Sequence, residues 1–184
     1  MFVILETERL IIRPPLMEDA PMLVKAANWP AIARNMENFP SPFRMSDALD
    51  WIESMRLPAP QLTEMKFAVF LGETNEIVGG VALVDINRKN GSAELSYWCT
   101  PAYWGNGYAT EASKRLLQYA FEVLELVVVC ATCFADNTAS RRVMEKIGMT
   151  FRGTQRKSLR SSGALEDLLI YTITLKDWKR QQER

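Results

Sequence analysis

Trp104-Gly105-Asn106-Gly107-Tyr108-Ala109 joins two segments of different character, and its reading decides the fold. Upstream, Ala93 to Thr100 reads as a strand. Downstream, Ala109, Ala112, Leu116, Ala120 and Val123 recur at helical spacing and predict one buried stripe on a helix from Tyr108 to Leu124. Gly105 and Gly107 lack a Cβ, so the backbone can turn sharply and bring its N–H groups close to a ligand. The first N–H groups of a helix have no intrahelical partner and, with the helix dipole, suit phosphate oxygens. By itself the pattern is unspecific, since many turns before helices carry glycines only to cap or bend the chain. No further glycine in a βαβ unit completes the dinucleotide fingerprint, and no Gly-Lys-Ser/Thr makes a P-loop.

Working outward, Glu8 to Arg13 is a first strand stopped by Pro14-Pro15, and Glu18 to Asn28 is helical until Trp29-Pro30. Asn38 to Phe43 is a proline-rich loop, and Ser46 or Asp47 caps a helix running to about Leu57. Phe67 to Leu71, Ile77 to Asp85 and Ala93 to Thr100, with turns at Glu73-Thr74-Asn75 and Asn90-Gly91, form an antiparallel meander. After the long helix, Val127-Val128-Val129 opens a strand. Asp136-Asn137 caps a short helix to about Ile147, and Gly148 ends it. Phe151 to Leu159 and Leu165 to Leu175 complete the sheet, joined near Ser161-Ser162-Gly163, and Lys176 to Arg184 reads as a charged, frayed end. This order predicts an α+β fold in one domain over residues 1–184, with a mixed, mostly antiparallel central sheet of about six to seven strands flanked by helices.

Composition excludes several function classes. The chain has 184 residues, 48% hydrophobic and 24% charged, which suits one packed domain and argues against disorder. Lys plus Arg (22) balance Asp plus Glu (22), so no overall field would hold a nucleic acid. Met1 to Leu5 is apolar but lacks a basic leader, and no run reaches the roughly 18 apolar residues of a membrane span. The expectation is a soluble cytoplasmic protein with no membrane partner. Cys130-Ala131-Thr132-Cys133 has C-x-x-C spacing, yet it lies in a strand pattern where residues three apart face opposite ways. With no histidine and only Cys99 besides, no four-ligand zinc set is evident, and no metal is expected.

The segment Leu95 to Ala112, with Pro101-Ala102-Tyr103-Trp104-Gly105-Asn106-Gly107-Tyr108-Ala109-Thr110-Glu111-Ala112, resembles the acetyl-CoA-binding segment of the GNAT acetyltransferase superfamily. A second anchor, Asp136-Asn137-Thr138-Ala139-Ser140 followed by Met144 to Met149, resembles the Asn-x-x-Ser helix of that family, with Met149 where an aromatic is usual. Glu6 to Pro14 and Tyr171 to Trp178 look like the branch that includes ribosomal-protein N-terminal acetyltransferases, so the resemblance spans nearly the whole chain. Trp104 stands where Arg or Gln is common in the superfamily. Indole has no charge and one donor, which leaves phosphate binding to the backbone N–H groups of Gly105, Asn106, Gly107, Tyr108, Ala109 and Thr110.

The resemblance implies a GNAT-like acyl-CoA N-acyltransferase fold, acetyl-CoA as cosubstrate, and transfer of acetyl to a primary amine by direct attack in a ternary complex. It implies that the strand Glu94 to Thr100 splays from its neighbour, so that backbone groups of Tyr97, Trp98 and Cys99 meet the pantetheine arm, a free N–H at Trp98 or Cys99 meets the thioester oxygen, and Asn137 faces the cofactor. Glu94 is the candidate base or water-organising carboxylate and Ser140 the candidate acid for the departing thiolate. Tyr171, in an apolar strand, reads as core. Arg141 and Arg142 are a solvated pair or an aid to the coenzyme's phosphates. Asn38 to Phe43 and Ser161 to Ala164 flank the acceptor cleft in relatives. A protein N-terminal amine, near pKa 8, is about a tenth unprotonated at pH 7, whereas a lysine is below about one part in a thousand, so an N-terminus needs less help. The alternatives are a small-molecule or antibiotic amine as acceptor, and a noncatalytic acyl-CoA-binding regulatory module. A homodimer is left open.

Overall fold

The computed structural model describes residues 3–36, 39–54, 63–159 and 164–183. Its sheet has eight strands: β1 (Leu5–Glu6), β2 (Leu10–Arg13), β3 (Met65–Leu71), β4 (Ile77–Asn87), β5 (Ser92–Cys99), β6 (Val128–Phe134), β7 (Thr150–Leu159) and β8 (Leu165–Thr174), in spatial order β1-β2-β3-β4-β5-β6-β8-β7. The strand beyond the expected number is β1, whose two residues are too short to show a period of two. The helices are α1 (Ala20–Ala27), α2 (Pro30–Ala33), α3 (Met45–Glu53), α4 (Tyr108–Glu122), α5 (Thr138–Lys146) and α6 (Leu175–Gln182), with 3-10 turns at Met17–Asp19 and Pro101–Tyr103. The α+β class and the central meander β3-β4-β5 are as the pattern predicts. All adjacent strands run antiparallel except β5 and β6, which α4 connects as a crossover.

The sheet separates two cores. On one face Leu116, Leu117 and Phe121 of α4 and Trp178 of α6 pack with Ile12, Leu83, Leu95, Val129 and Ile173. On the other, Leu23 of α1 and Ala48 and Ile52 of α3 pack with Ala68, Phe70 and Ile77. Leu116 and Leu117 are fully buried, each contributing roughly 2 kcal/mol, which outweighs helix-propensity differences of tenths and so sets how α4 lies on the sheet.

Three local expectations are corrected. Val123 is 61% exposed because α4 ends at Glu122, and the buried face is instead widened by Ser113, Leu117 and Phe121. Helix α3 is capped at Arg44, with Asp47 reaching back from the third helical position to accept the Arg44 N–H at 2.6 Å; its expected end at Leu57 lies outside the described residues. The C-terminal stretch is not frayed over 175–182. Thr174 Oγ1 accepts the Asp177 N–H at 3.1 Å and caps α6, and the buried Trp178 ring lies 5.8 Å from Phe121. The run of charges hid a cap and a single apolar anchor.

Candidate functional site

β5 has two different edges. Along β4 its pairing is continuous from Glu94↔Val84 to Cys99↔Gly79. Along β6 only Ser92, Ala93 and Glu94 pair, with Val128, Val129 and Cys130. β6 stays zipped to β8 over its whole length, so beyond Glu94 the strands part. The splay that the resemblance implied is therefore present.

Backbone groups alternate sides along a strand, and the Thr100 N–H donates to Val78 O at 2.9 Å on the β4 side. Even-numbered β5 residues therefore turn their N–H and C=O toward β4, and Tyr97 and Cys99 turn theirs into the opening. Trp98 was expected to offer its backbone there, but its backbone groups belong to the β4 ladder. Its indole crosses Gly80, where a Cβ would stand 2.4 Å from Nε1, and lies near the Phe39 ring at 6.2 Å. Phe39 in turn stacks on Phe43 at 5.3 Å, so this part of the expected acceptor segment borders Trp98. Asn38 and Ser161 to Gly163 lie outside the described residues.

At its loop end the opening meets the glycine turn. Gly105 (φ 82°) and Gly107 (φ 81°) are left-handed, which is why glycine stands at both. A Cβ at Gly105 would meet nothing within 4 Å, so the loop is open to one side. Glu111 supplies the first helical N–H bond, to Gly107 O at 3.0 Å, leaving the N–H groups of Tyr108, Ala109 and Thr110 at the helix start. Trp104 is 55% exposed, and its one donor bonds Cys99 O at 2.8 Å, so the indole braces the loop against β5. Asn106 Nδ2 donates to Tyr103 O at 3.0 Å, and Arg9 Nη1 donates to Asn106 O at 3.2 Å. Arg9 also lies over Tyr108 at 4.7 Å and bonds Glu111 through Nε at 2.8 Å, while Thr7 Oγ1 donates to the other Glu111 oxygen at 2.6 Å.

An open groove of about 450 Å³ adjoins this turn, bordered by Gly107, Thr110, the cations Arg9, Lys114 and Lys146, and the carboxylates Glu8 and Glu111. The two lysines are cations that sequence reading passed over. Lys114 is signalled by its spacing, one turn beyond Thr110 on the same helical face, whereas Lys146 arrives from α5 and only tertiary structure brings it there. Arg141, by contrast, directs its guanidinium toward Tyr171, whose hydroxyl raises the arginine pKa, and its Nε is buried with no hydrogen-bond partner among the described residues. Arg142 is exposed. Tyr171 is core, as expected, at 3% exposure.

Glu94 points to the sheet face opposite α4, since Ala93 and Leu95 on either side are buried in the α4-side core. Thr132 Oγ1 donates to Glu94 Oε1 at 2.8 Å, which orients the half-buried carboxylate. Asn137 caps α5, its Oδ1 accepting the Ser140 N–H at 3.1 Å. Ser140 also meets Tyr97: the tyrosine Oη is 2.8 Å from Ser140 Oγ and 3.0 Å from Ser140 O. The structure thus brings Ser140 and Asn137 to Tyr97 at the opening. All three thiols are protonated at neutral pH, because burial pushes Cys99, Cys130 and Cys133 each up to about 11. None is poised as a nucleophile. Among the described residues no cluster could hold a metal, and no helix is long and apolar enough to cross a membrane.

An open strand edge presenting the Tyr97 peptide groups and the Cys99 N–H, ending at a glycine-flanked helix start beside two lysines, fits a ligand with an amide-bearing arm and phosphates. Relatives agree. Residues 9–150 match the model of the acetyltransferase (GNAT) domain. YoaA of Bacillus subtilis, named an uncharacterized N-acetyltransferase, is 29% identical over 175 residues, covering 94% of this chain and 97% of its own. YdaF of the same organism, provisionally named a ribosomal N-acetyltransferase, is 34% identical over 108 residues, 58% of each chain. A GNAT-family acetyltransferase from Bacillus anthracis superposes with a TM-score of 0.81 at 26% identity, over 95% of this chain and 99% of that one. The parted β5 edge, the glycine turn at its end and the match across most of the chain have one common account: this protein belongs to the GNAT acetyltransferase family.

Proposed function

We propose that this enzyme acetylates a primary amine from acetyl-CoA by direct attack in a ternary complex, and that the acceptor is a protein N-terminal amine. The observation that carries the reading is the opening of β5 beyond Glu94, which exposes the Tyr97 and Cys99 backbone beside the glycine turn. Acetyl-CoA, when bound, supplies the acetyl group as a thioester open to a neutral amine. Backbone N–H groups from Gly105 to Thr110, with Lys114 and Lys146, hold its phosphates. The Tyr97 peptide groups and the Cys99 N–H hold the arm and its thioester, the Cys99 carbonyl being taken by Trp104, and supply fixed N–H donors for the carbonyl oxygen as charge gathers there. Asn137, already the cap of α5, sets the backbone of Ser140, and the Ser140 hydroxyl donates a hydrogen bond toward the departing sulfur.

Glu94, oriented by Thr132, takes or relays the proton released by the amine on the acceptor face. Its task is lightest for an α-amine, which is partly neutral at pH 7 without help. The test is thiol release from acetyl-CoA across amino-terminal peptides, polyamines, aminoglycosides and free amino acids. The expected outcome is turnover with peptides above the others. Faster turnover with a small amine would replace the acceptor, and calorimetric acetyl-CoA binding without turnover on any amine would favour a regulatory module.

A further inference from the structure

The Tyr97 hydroxyl has no part in the scheme above, yet it makes the closest side-chain contact with Ser140. Tyr97 stands three residues beyond the last β5–β6 pair, Glu94↔Cys130, and its ring packs against the α4-side core. From there its oxygen reaches two atoms of α5, Ser140 Oγ at 2.8 Å and Ser140 O at 3.0 Å. Asn137 Oδ1 holds the Ser140 N–H at 3.1 Å. Every polar atom of Ser140 is therefore held, two of them by Tyr97, and the Cys133 thiol also makes a hydrogen bond with the Ser140 side chain.

Resting on the assignment of Ser140 as the donor to the departing sulfur, we infer that Tyr97 is the positioning residue for that donor: its hydroxyl fixes the Ser140 rotamer and replaces the hydrogen bond that Ser140 gives up. Each hydroxyl has a single hydrogen. At rest Tyr97 donates to Ser140 O and Ser140 donates to Tyr97 Oη. When negative charge develops on sulfur, Ser140 turns its hydrogen outward, and Tyr97 rotates its own from the carbonyl to Ser140 Oγ. Both acceptors already lie within hydrogen-bond reach, so no heavy atom moves, and the second donor polarises the first. No proton changes owner in this exchange. Burial raises the Tyr97 pKa far above its ordinary 10.0, so the phenol stays a donor across the working pH range. A purely structural latch between β5 and α5 would use the same contacts, and the two roles differ in whether Tyr97 acts through Ser140.

The experiment is a double-mutant cycle on the full chain, measuring kcat and the KM for acetyl-CoA with Tyr97→Phe, Ser140→Ala and both. Ser140→Ala is expected to lower kcat about tenfold or more, and Tyr97→Phe about fivefold with KM changed less than about twofold. In the Ser140→Ala background Tyr97→Phe should lower kcat no further. An equal fall in both backgrounds, a fall confined to KM, or no fall in the single Tyr97→Phe variant overturns the inference while leaving Ser140 in place. Unchanged kcat in Ser140→Ala instead removes the serine assignment and the inference together.

Discussion

The edge of β5 against β4 is a closed seam and the edge against β6 an open one, although both belong to the same eight residues. Glycines serve the two edges differently. On the closed edge Gly79 and Gly80 have no room for a side chain, since a Cβ would fall 2.4 Å from Trp98 O and from Trp98 Nε1 respectively. At the end of the open edge Gly105 and Gly107 have room and are glycine for their positive φ. One pair lets two strands and an indole pack, and the other shapes a turn that faces outward. The difference teaches that substitution on the closed edge should cost stability, while substitution on the open edge should cost binding and turnover.

The strongest challenge to that division is Gly107→Val, which puts a β-branched residue at φ 81° where the backbone must stay accessible. Acetyl-CoA affinity measured by calorimetry should fall about 100-fold. Unchanged affinity would move the phosphate site away from the turn. Gly79→Ala is the counterpart on the closed edge: urea unfolding should show a loss of about 2 kcal/mol, because the intruding methyl meets the Trp98 carbonyl and the Cys99 Cα, backbone that cannot swing aside. If turnover fell instead and stability held, the two edges would not be separable.

Glu94→Gln sits where the edges diverge. It should lower kcat about tenfold at pH 7 with acetyl-CoA affinity retained, and the deficit should shrink as pH approaches 9, where an α-amine deprotonates unaided. A deficit constant with pH would exclude Glu94 as the proton acceptor.

The smallest effect is expected at the brace behind the turn. Burial alone would raise the Glu111 pKa, but hydrogen bonds from Thr7 and Arg9 and the Arg9 charge outweigh it and hold the carboxyl below its ordinary 4.5. A carboxyl lowered on folding stabilises the protein above its unfolded pKa, and that stabilisation is lost as pH falls through the folded one. Arg9 is 46% exposed, so screening keeps the effect small. Melting of Glu111→Gln should lie about 2 °C or less below wild type at pH 7 and converge with it as pH falls through the lowered carboxyl pKa. A difference that persists in acid would assign Glu111 to packing rather than charge.

The turn, the helix after it and the Asn-x-x-Ser helix were legible because each rests on local chemistry: positive φ demands glycine, a stripe at helical spacing demands a buried face, and an asparagine before a helix satisfies a free N–H. The α6 cap was equally local, but the surrounding charges concealed it. The acceptor-side aromatics were legible only as a loop, since Phe39 and Trp98 are far apart in sequence and meet across the sheet.

By itself, then, the sequence determined the α+β class, the meander and the glycine turn at a helix start, and the resemblance it carries proposed Glu94 and Ser140 as candidates. Tertiary structure alone decided which peptide groups of β5 face the opening, that Trp104 spends its donor on Cys99, that Lys146 joins Lys114 beside the turn and that Tyr97 holds Ser140. The physical reason is the range of the interaction. Backbone conformation and caps depend on neighbours a few residues away, whereas the parting of β5 from β6 depends on β8 holding β6 along its full length.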